Sequence, residues 1–143
     1  MKRILGLDVG DRTIGVAVSD GLGITAQGLT TIRRKSFDKD FRILRDYIEE
    51  YEAVEVVVGL PKSMDGSLGP QAEKVLQFVE RFKKDFDIPV VMSDERLSTA
   101  LVQKAMISAD VSRAKRKEVV DMLAAQVILQ GYMDRKGRGS NNV

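Results

Sequence analysis

The sequence predicts an α/β fold whose sheet is antiparallel in its first three strands, parallel in its later strands and flanked by helices. Three observations lead to this fold class. Apolar, β-branched runs separated by turn residues occupy residues 3–33. Helical and strand-like patterns then alternate over residues 38–92, and helical patterns follow to about residue 133. Closely spaced strands favour hairpins, whereas strands alternating with helices favour parallel pairing.

The first three strands are predicted from short apolar runs. Residues 3–9 are nearly all apolar, as in a strand that is buried on both faces. The turn residues from Val9 to Arg12 separate this run from a β-branched run at 13–19, so the two are expected to form an antiparallel hairpin. A third strand is expected within residues 24–33.

The later elements follow from residue spacing. A helix is predicted over 38–52, because apolar residues recur there at helical spacing. A buried strand at 54–58 precedes the Gly/Ser/Pro-rich loop 59–69, after which Pro70 is well placed to open a second helix. The remaining predictions are a strand at 88–92, a helix from Ser98 to about Ile107 and a helix from Ser112 to about Met133.

Length and composition limit the possible classes of protein. The chain has 143 residues, 43% of them hydrophobic, and no internal repeat or linker, so one domain is predicted over residues 1–135. Residues 136–143 are expected to be a disordered tail. The sequence contains no cysteine and no histidine, which excludes disulfides, thiol nucleophiles and the usual zinc ligands. No run approaches the roughly 20 apolar residues of a membrane span, so a soluble, cytoplasmic protein is expected.

Carboxylates stand at three places where apolar side chains would be expected. Asp8 ends a buried strand, Asp94 and Glu95 follow another, and Asp121 lies inside the apolar helical stretch 119–125. An ionised carboxylate is costly to bury unless a cation meets it. Without histidine or cysteine, a shared Mg²⁺ or Mn²⁺ ion is the economical partner, because hard cations prefer oxygen ligands. The pattern therefore predicts metal-dependent phosphodiester chemistry.

Each of these acids also has a simpler interpretation. Asp8 could form a turn at a strand end. Asp121 could pair with Lys117 one helical turn away, although its apolar neighbours favour burial over exposure. Asp94 could cap or brace the turn into Ser98, and Arg96 could simply neutralise a neighbouring acid. Adjacent strand residues point to opposite sides, so only one of Asp94 and Glu95 can face a cleft, and position alone leaves the choice open.

Positive charge is local, since the formal net charge is only +2. Basic clusters lie at 33–35, 113–117 and 135–138, and the second is within two helical turns of Asp121. A solvated surface explains any one of them equally well. The loop 59–69 could contact a substrate phosphate or be a flexible connection. The candidate nucleic-acid contacts are Lys62, Ser63, Arg96, Arg113, Lys115, Arg116 and Lys117.

Four motifs in sequence order resemble the YqgF/RuvX family. They are Gly6-Leu7-Asp8-Val9-Gly10 with Thr13-Ile14-Gly15-Val16-Ala17-Val18-Ser19-Asp20; Val57-Val58-Gly59-Leu60-Pro61 with Asp65-Gly66; Asp94-Glu95-Arg96-Leu97-Ser98-Thr99; and Asp121 with Ala124-Ala125, Ile128-Leu129 and Tyr132. One motif alone is weak, but four in register between residue 4 and about residue 133 are specific. Thr13 departs from the pattern, since many members carry a basic residue there, so a basic substrate contact is not expected at that position.

The resemblance implies an RNase H-like fold, related to Holliday-junction resolvases, in a bacterial cytoplasmic protein. It also implies a nuclease that acts in 5′-end maturation of precursor 16S ribosomal RNA. Carried over residue by residue, the resemblance makes Asp8, Glu95 and Asp121 the catalytic and metal-binding acids, with Asp94 in reserve.

Several functions remain open at this point. The leading one is an endonuclease dependent on Mg²⁺ or Mn²⁺ that acts on structured RNA, with a ribosomal particle as a candidate partner. A Holliday-junction-resolving DNase would use the same acids on branched DNA, and a non-catalytic RNA-binding subunit is the alternative from another class. A kinase-like ATPase would share the start from Asp8 to Thr13, but 143 residues leave no room for its second lobe. Monomer and homodimer are both compatible with the sequence.

Overall fold

A five-stranded mixed sheet forms the centre of the molecule. The computed structural model describes residues 2–62, 65–94 and 113–141. The strands are β1 (Arg3–Val9), β2 (Thr13–Ser19), β3 (Ala26–Arg33), β4 (Ala53–Leu60) and β5 (Val90–Asp94). They are ordered β3-β2-β1-β4-β5, with antiparallel pairing among the first three strands and parallel pairing from β1 to β4 and from β4 to β5. The predicted mixed sheet is confirmed.

Three helices flank this sheet in the described part of the chain. They are α1 (Phe37–Glu50), α2 (Pro70–Asp85) and α3 (Arg113–Asn141). The Ser36 side chain caps α1 by accepting a hydrogen bond from the backbone N–H of Lys39 at 3.2 Å. Pro70 opens α2, as the sequence predicted. The helix predicted from Ser98 to Ile107 lies outside the described residues.

The end of α3 differs from its predicted position. The helix continues to Asn141 instead of ending near Met133. Residues 136–141 are therefore helical where the polar, glycine-containing sequence indicated a tail, and residues 142–143 lie outside the described part. A glycine costs a helix only about 1 kcal/mol relative to alanine, so a well-anchored helix can continue through two of them. No helix among the described residues is both long and apolar enough to cross a membrane.

The two faces of the sheet are packed in different ways. One face is covered by α1 and α2 and contains the larger hydrophobic cluster. Within it, the Phe41 ring lies 5.4 Å from Phe78, 5.7 Å from Phe82 and 5.7 Å from Phe86, measured between centroids. We call this side the phenylalanine face. Its large buried side chains keep the two helices at ordinary packing distance from the strands.

The opposite face is covered by α3, which approaches the strands at glycines. A Cβ atom added to Gly6 would lie 2.7 Å from the Cβ atom of Leu129, and one added to Gly15 would lie 1.9 Å from the carbonyl oxygen of Asp121. Gly28 is similarly close to the helix. We call this side the glycine face. Because real side chains could not occupy these positions, α3 lies almost directly on the backbone of the sheet.

Candidate active site

Asp8 projects from the glycine face near the carboxyl end of β1. The residue is half-buried, and it lies directly opposite Gly15 in the antiparallel register of β1 and β2. Directly opposed residues of two antiparallel strands point to the same side of the sheet. The Asp8 carboxylate therefore lies on the same side as α3, beside a residue that has no side chain.

Asp121 reaches the same place from the helix. Its carbonyl oxygen is the atom that a side chain at Gly15 would strike, and its side chain is half-buried. The hydroxyl of Thr13 donates a hydrogen bond to the Oδ2 atom of Asp121 at 2.6 Å. Thr13 and Gly15 are two residues apart on β2 and so share a face. This hydrogen bond fixes the orientation of the Asp121 carboxylate over the sheet.

Asp8 and Asp121 thus flank Gly15, one on the neighbouring strand and the other on the helix above. Two carboxylates that approach each other in a partly buried position repel unless a cation or a proton lies nearby. Oxygen donors of this kind are the ligands that hard divalent cations prefer. The donor chemistry at Gly15 is therefore compatible with a Mg²⁺ or Mn²⁺ site.

Asp94, the reserve acid of the predicted set, is the last residue of β5. Asp94 is exposed and pairs in register with Leu60. Leu60 belongs to the hydrophobic cluster of the phenylalanine face. Ser93 instead pairs with Gly59 and receives a hydrogen bond from Arg135 of α3, so it belongs to the glycine face. Strand alternation therefore directs Asp94 away from Asp8.

A three-acid centre is not formed by residues 2–62, 65–94 and 113–141 alone. In these ranges, no three Asp, Glu, His or Cys side chains form a group that could hold a metal ion. Asp94 therefore does not complete a set with Asp8 and Asp121. Glu95 lies outside the described residues, and its role as a ligand stays a prediction.

A comparison with protein families identifies the group of proteins to which this chain is related. The RuvX family, described as Holliday junction resolvase, matches residues 2–135. The chain belongs to the RuvX family. This result confirms the resemblance that the four sequence motifs indicated. The RuvX match covers all five strands, residues 113–135 of α3 and both acids at Gly15, so the site lies within the matched part of the chain.

Curated relatives are similar over nearly the whole chain. A protein from Thermoanaerobacter pseudethanolicus is 59% identical over 133 residues, which cover 92% of this chain and 96% of the relative. A protein from Clostridium kluyveri is 56% identical over 133 residues, with 93% and 97% of the two chains covered. The names of both relatives provisionally designate them pre-16S rRNA nucleases. These names agree with the nuclease prediction for this RuvX chain.

Solved structures share the fold at low sequence identity. The Thermus thermophilus RuvC structure in complex with a Holliday junction substrate has a TM-score of 0.58 and 13% identity, and the alignment covers 96% of this chain and 97% of that chain. The yeast mitochondrial resolvase Ydc2 has a TM-score of 0.52 and 12% identity, with 92% and 78% covered. These similarities confirm the RNase H-like, resolvase-type fold of the RuvX chain.

The predicted nucleic-acid contacts are only partly described. Lys62 is half-buried in the segment after β4. Ser63 and Arg96 lie outside the described residues. The remaining four candidates lie on the first turns of α3, on the same helix as Asp121, and the structure does not describe their side chains: Arg113, Lys115, Arg116 and Lys117.

Thr13 and Arg34 are two residues of this region that sequence reasoning did not identify. Thr13 was noted only as a departure from the family pattern, yet its hydroxyl holds Asp121. Arg34 belongs to the basic cluster 33–35, yet its guanidinium donates to the carbonyl oxygen of Gly10 at 2.7 Å. The alternation of β2 could have placed Thr13 beside Gly15, but nothing local in the sequence places α3 above it.

A second polar group on the glycine face joins α3 to β4. The hydroxyl of Tyr132 donates to the Oε1 atom of Glu55 at 2.9 Å, and the Nζ atom of Lys136 lies 3.7 Å from the same oxygen. Burial, followed by the hydrogen bond to Glu55 and the negative charge of Glu55, raises the pKa of Tyr132 to about 12. The phenol is therefore neutral at physiological pH, and it serves as a donor that fixes the second half of α3.

Proposed function

We propose that this protein is a metal-dependent endonuclease that hydrolyses phosphodiester bonds during 5′-end maturation of precursor 16S ribosomal RNA. The observation that carries the proposal is the convergence of Asp8 and Asp121 around Gly15. Membership of the RuvX family supports the nuclease chemistry. The names of relatives that are 56–59% identical support the ribosomal RNA substrate.

Three acids would hold the divalent ion in this proposal. Asp8 and Asp121 supply carboxylate oxygens at Gly15, and Glu95 is proposed as the third ligand. When bound, Mg²⁺ or Mn²⁺ stabilises the charge that develops on the attacking and leaving oxygens of an in-line displacement. A chain without histidine or cysteine can provide this chemistry, because it requires only oxygen ligands.

The chain's own residues prepare the site for this reaction. Thr13 limits the rotation of the Asp121 carboxylate through its 2.6 Å hydrogen bond. Because Gly15 has no side chain, the helix carrying Asp121 can lie against the strand next to Asp8. A site whose groups are already oriented loses little entropy when substrate binds, which is how positioning accelerates a reaction.

The second candidate function is resolution of branched DNA. The RuvX family is described as Holliday junction resolvase, and this description favours a DNA junction as the alternative substrate. The same acids would cleave either nucleic acid, because phosphodiester hydrolysis is chemically similar in both. A direct comparison of the two substrates therefore decides between them.

The decisive experiment measures cleavage of both substrates by purified protein in Mg²⁺ or Mn²⁺. We expect a precursor 16S RNA carrying its 5′ leader to be cut faster than a four-way DNA junction. Asp8→Asn and Asp121→Asn should each reduce the rate about 100-fold or more, because the charge that holds the cation is lost. RNA binding should be retained. Asp46→Asn is the matched control, since Asp46 is an exposed acid on α1, and it should cleave like the wild type.

The outcomes separate the competing functions. Faster cleavage of the DNA junction would identify a resolvase. RNA binding without cleavage in either metal would identify a non-catalytic binding subunit. Full activity of both acid variants, or activity that EDTA does not reduce, would contradict the proposed site.

A further inference from the structure

The turn between β1 and β2 joins the two strands that carry the site. Residues 10–12, which we call the site turn, stand between Asp8 and Thr13 in the chain. The backbone N–H of Gly10 donates to the carbonyl oxygen of Thr13 at 2.8 Å and closes the turn. A displacement of the site turn can therefore shift Asp8 relative to Thr13, the residue that holds Asp121.

Arg34 donates hydrogen bonds to both ends of the site turn. Its guanidinium Nη1 atom donates to the carbonyl oxygen of Gly10 at 2.7 Å, and its backbone N–H donates to the carbonyl oxygen of Arg12 at 2.8 Å. The backbone bond extends the pairing of β2 with β3, but the guanidinium bond depends on the arginine side chain. Arg34 thus connects the site turn to the phenylalanine face from its own half-buried position, whereas the other link, between Asp11 and Lys74 of α2 at 3.1 Å, is an exposed ion pair.

Asp40 fixes Arg34 from the other side. The Asp40 side chain is only 2% exposed, and its Oδ2 atom lies 3.8 Å from the Nε atom of Arg34. Its Oδ1 atom accepts a hydrogen bond from the backbone N–H of Lys35 at 3.0 Å. Asp40 also lies in the first turn of α1, where the helix dipole favours negative charge. A buried carboxylate held in this way gives the guanidinium a fixed counter-ion.

Aromatic rings restrict the guanidinium further. The Cζ atom of Arg34 lies 5.7 Å from the ring centroid of Phe37 and 5.6 Å from that of Phe78. A planar guanidinium can stack on rings while donating several hydrogen bonds in fixed directions, whereas a lysine ammonium cannot reproduce this arrangement. The side chain is 22% exposed, so it is mostly packed inside the protein.

We infer that Arg34, held by Asp40, is a positioning residue of the nuclease site. It fixes the site turn, and through that turn it sets the placement of Asp8 relative to Thr13 and so to Asp121. Its consequence for catalysis rests on the function proposed above. A displacement of about 1 Å in an active site can cost on the order of 100-fold in rate, so a clamp on the site turn is functionally important.

The test compares Arg34→Lys with a matched control, Arg45→Lys. Arg45 also stacks on a phenylalanine, with Cζ 4.3 Å from the Phe86 centroid, and it also donates to a backbone carbonyl, that of Asp85 at 3.2 Å. Neither of these two contacts involves the site turn. We expect Arg34→Lys to lower kcat about tenfold or more with KM within about twofold, because it displaces groups without removing a substrate contact. Arg45→Lys should leave both constants unchanged.

Amide hydrogen exchange supplies a readout that does not depend on cleavage. Arg34→Lys should speed exchange of the Gly10 amide about tenfold or more, while the Val57 amide in the centre of β4 exchanges as in the wild type. Asp40→Asn should change Gly10 exchange in the same direction. If Asp40→Asn does not fold, Arg34→Lys alone tests whether Arg34 holds the site turn, because this variant retains the positive charge and most of the side-chain volume.

The results separate this inference from the proposed function. An Arg34→Lys protein whose Gly10 amide exchanges as in the wild type would overturn the positioning role, whatever its activity. A raised KM at unchanged kcat would overturn it as well, because Arg34 would then be a substrate contact. A wild-type protein that cleaves neither substrate would refute the nuclease proposal, while Gly10 exchange would still decide whether Arg34 holds the site turn.

Discussion

The phenylalanine face and the glycine face of the same sheet are built for different purposes. On the first, large rings fill the space between the strands and the two helices α1 and α2. On the second, glycines remove that space and α3 lies on the backbone itself. Both proposed ligands that the structure describes, Asp8 and Asp121, belong to the glycine face. The difference indicates that large buried side chains supply stability on the phenylalanine face, whereas the close approach of α3 brings charged groups together on the glycine face.

The largest expected loss of stability comes from the phenylalanine face. Phe82 is 1% exposed and contacts Phe41 edge-to-face with centroids 5.7 Å apart. Phe82→Ala should reduce the free energy of unfolding by about 3–5 kcal/mol, because it leaves a cavity in the main core. Urea titration measures the loss. Cleavage per folded molecule should be nearly unchanged, and abolished cleavage by fully folded Phe82→Ala would show that the two faces do not act independently.

Gly15→Ala should reduce the cleavage rate strongly and the stability only moderately. The added Cβ would meet the Asp121 carbonyl oxygen at 1.9 Å, so α3 must move away from β2. We expect a stability loss of about 1–3 kcal/mol together with a rate reduction of about 100-fold, since Asp121 moves away from Asp8. Unfolding and cleavage assays on the same preparation measure both effects.

Gly131→Ala is the control for Gly15→Ala on the same face. Its added Cβ would approach only the end of the Arg135 side chain, at 3.3 Å, which can shift by a few tenths of an ångström. Alanine is favoured over glycine in a helix by roughly 0.5–1 kcal/mol, so this variant should be as stable as the wild type or slightly more stable. A fully active Gly15→Ala protein would contradict the idea that close approach of α3 forms the site.

The smallest effect concerns the polar contacts that hold the second half of α3. The folded pKa of Tyr132 is raised from 10.0 to about 12, so its stabilising contribution is fully present below pH 10 and is lost as the pH rises through 12. Glu55→Gln should lower this pKa, because it removes the charge and weakens the hydrogen bond while burial remains. Phenolate absorbance of a Tyr47→Phe, Tyr51→Phe background isolates Tyr132. An unchanged pKa in Glu55→Gln would assign the shift to burial alone.

Much of the fold could be predicted because local patterns determine it. The first two strands have the predicted bounds, since their buried runs are delimited by charged and turn residues. The later strands β4 and β5 extend two residues past their predicted ends at 58 and 92. The continuation of α3 to Asn141 could not be predicted from its polar composition, because contacts such as that between Arg135 and Ser93 come from the folded sheet.

The site was predictable only in part. Asp8 and Asp121 stand out in the sequence because their neighbours are apolar, and the structure places both beside Gly15. Their roles as metal ligands stay predictions. The Thr13 contact depends on where α3 docks, and the Arg34 contact depends on how α1 presents Asp40. Periodicity identifies which face a side chain occupies, but it does not give the docking of an element that is distant in the chain.

The hydrogen bond from Thr13 to Asp121 joins residues 108 positions apart. On a translating ribosome, the amino-terminal hairpin emerges long before the helix that supplies its partner, and segments that emerge first can begin to fold first. A growing polypeptide would thus have no assembled cutting centre until the helix that contains Asp121 has been synthesised. An incomplete chain would therefore be unable to cleave RNA, and nearby transcripts would be protected while the enzyme is being synthesised.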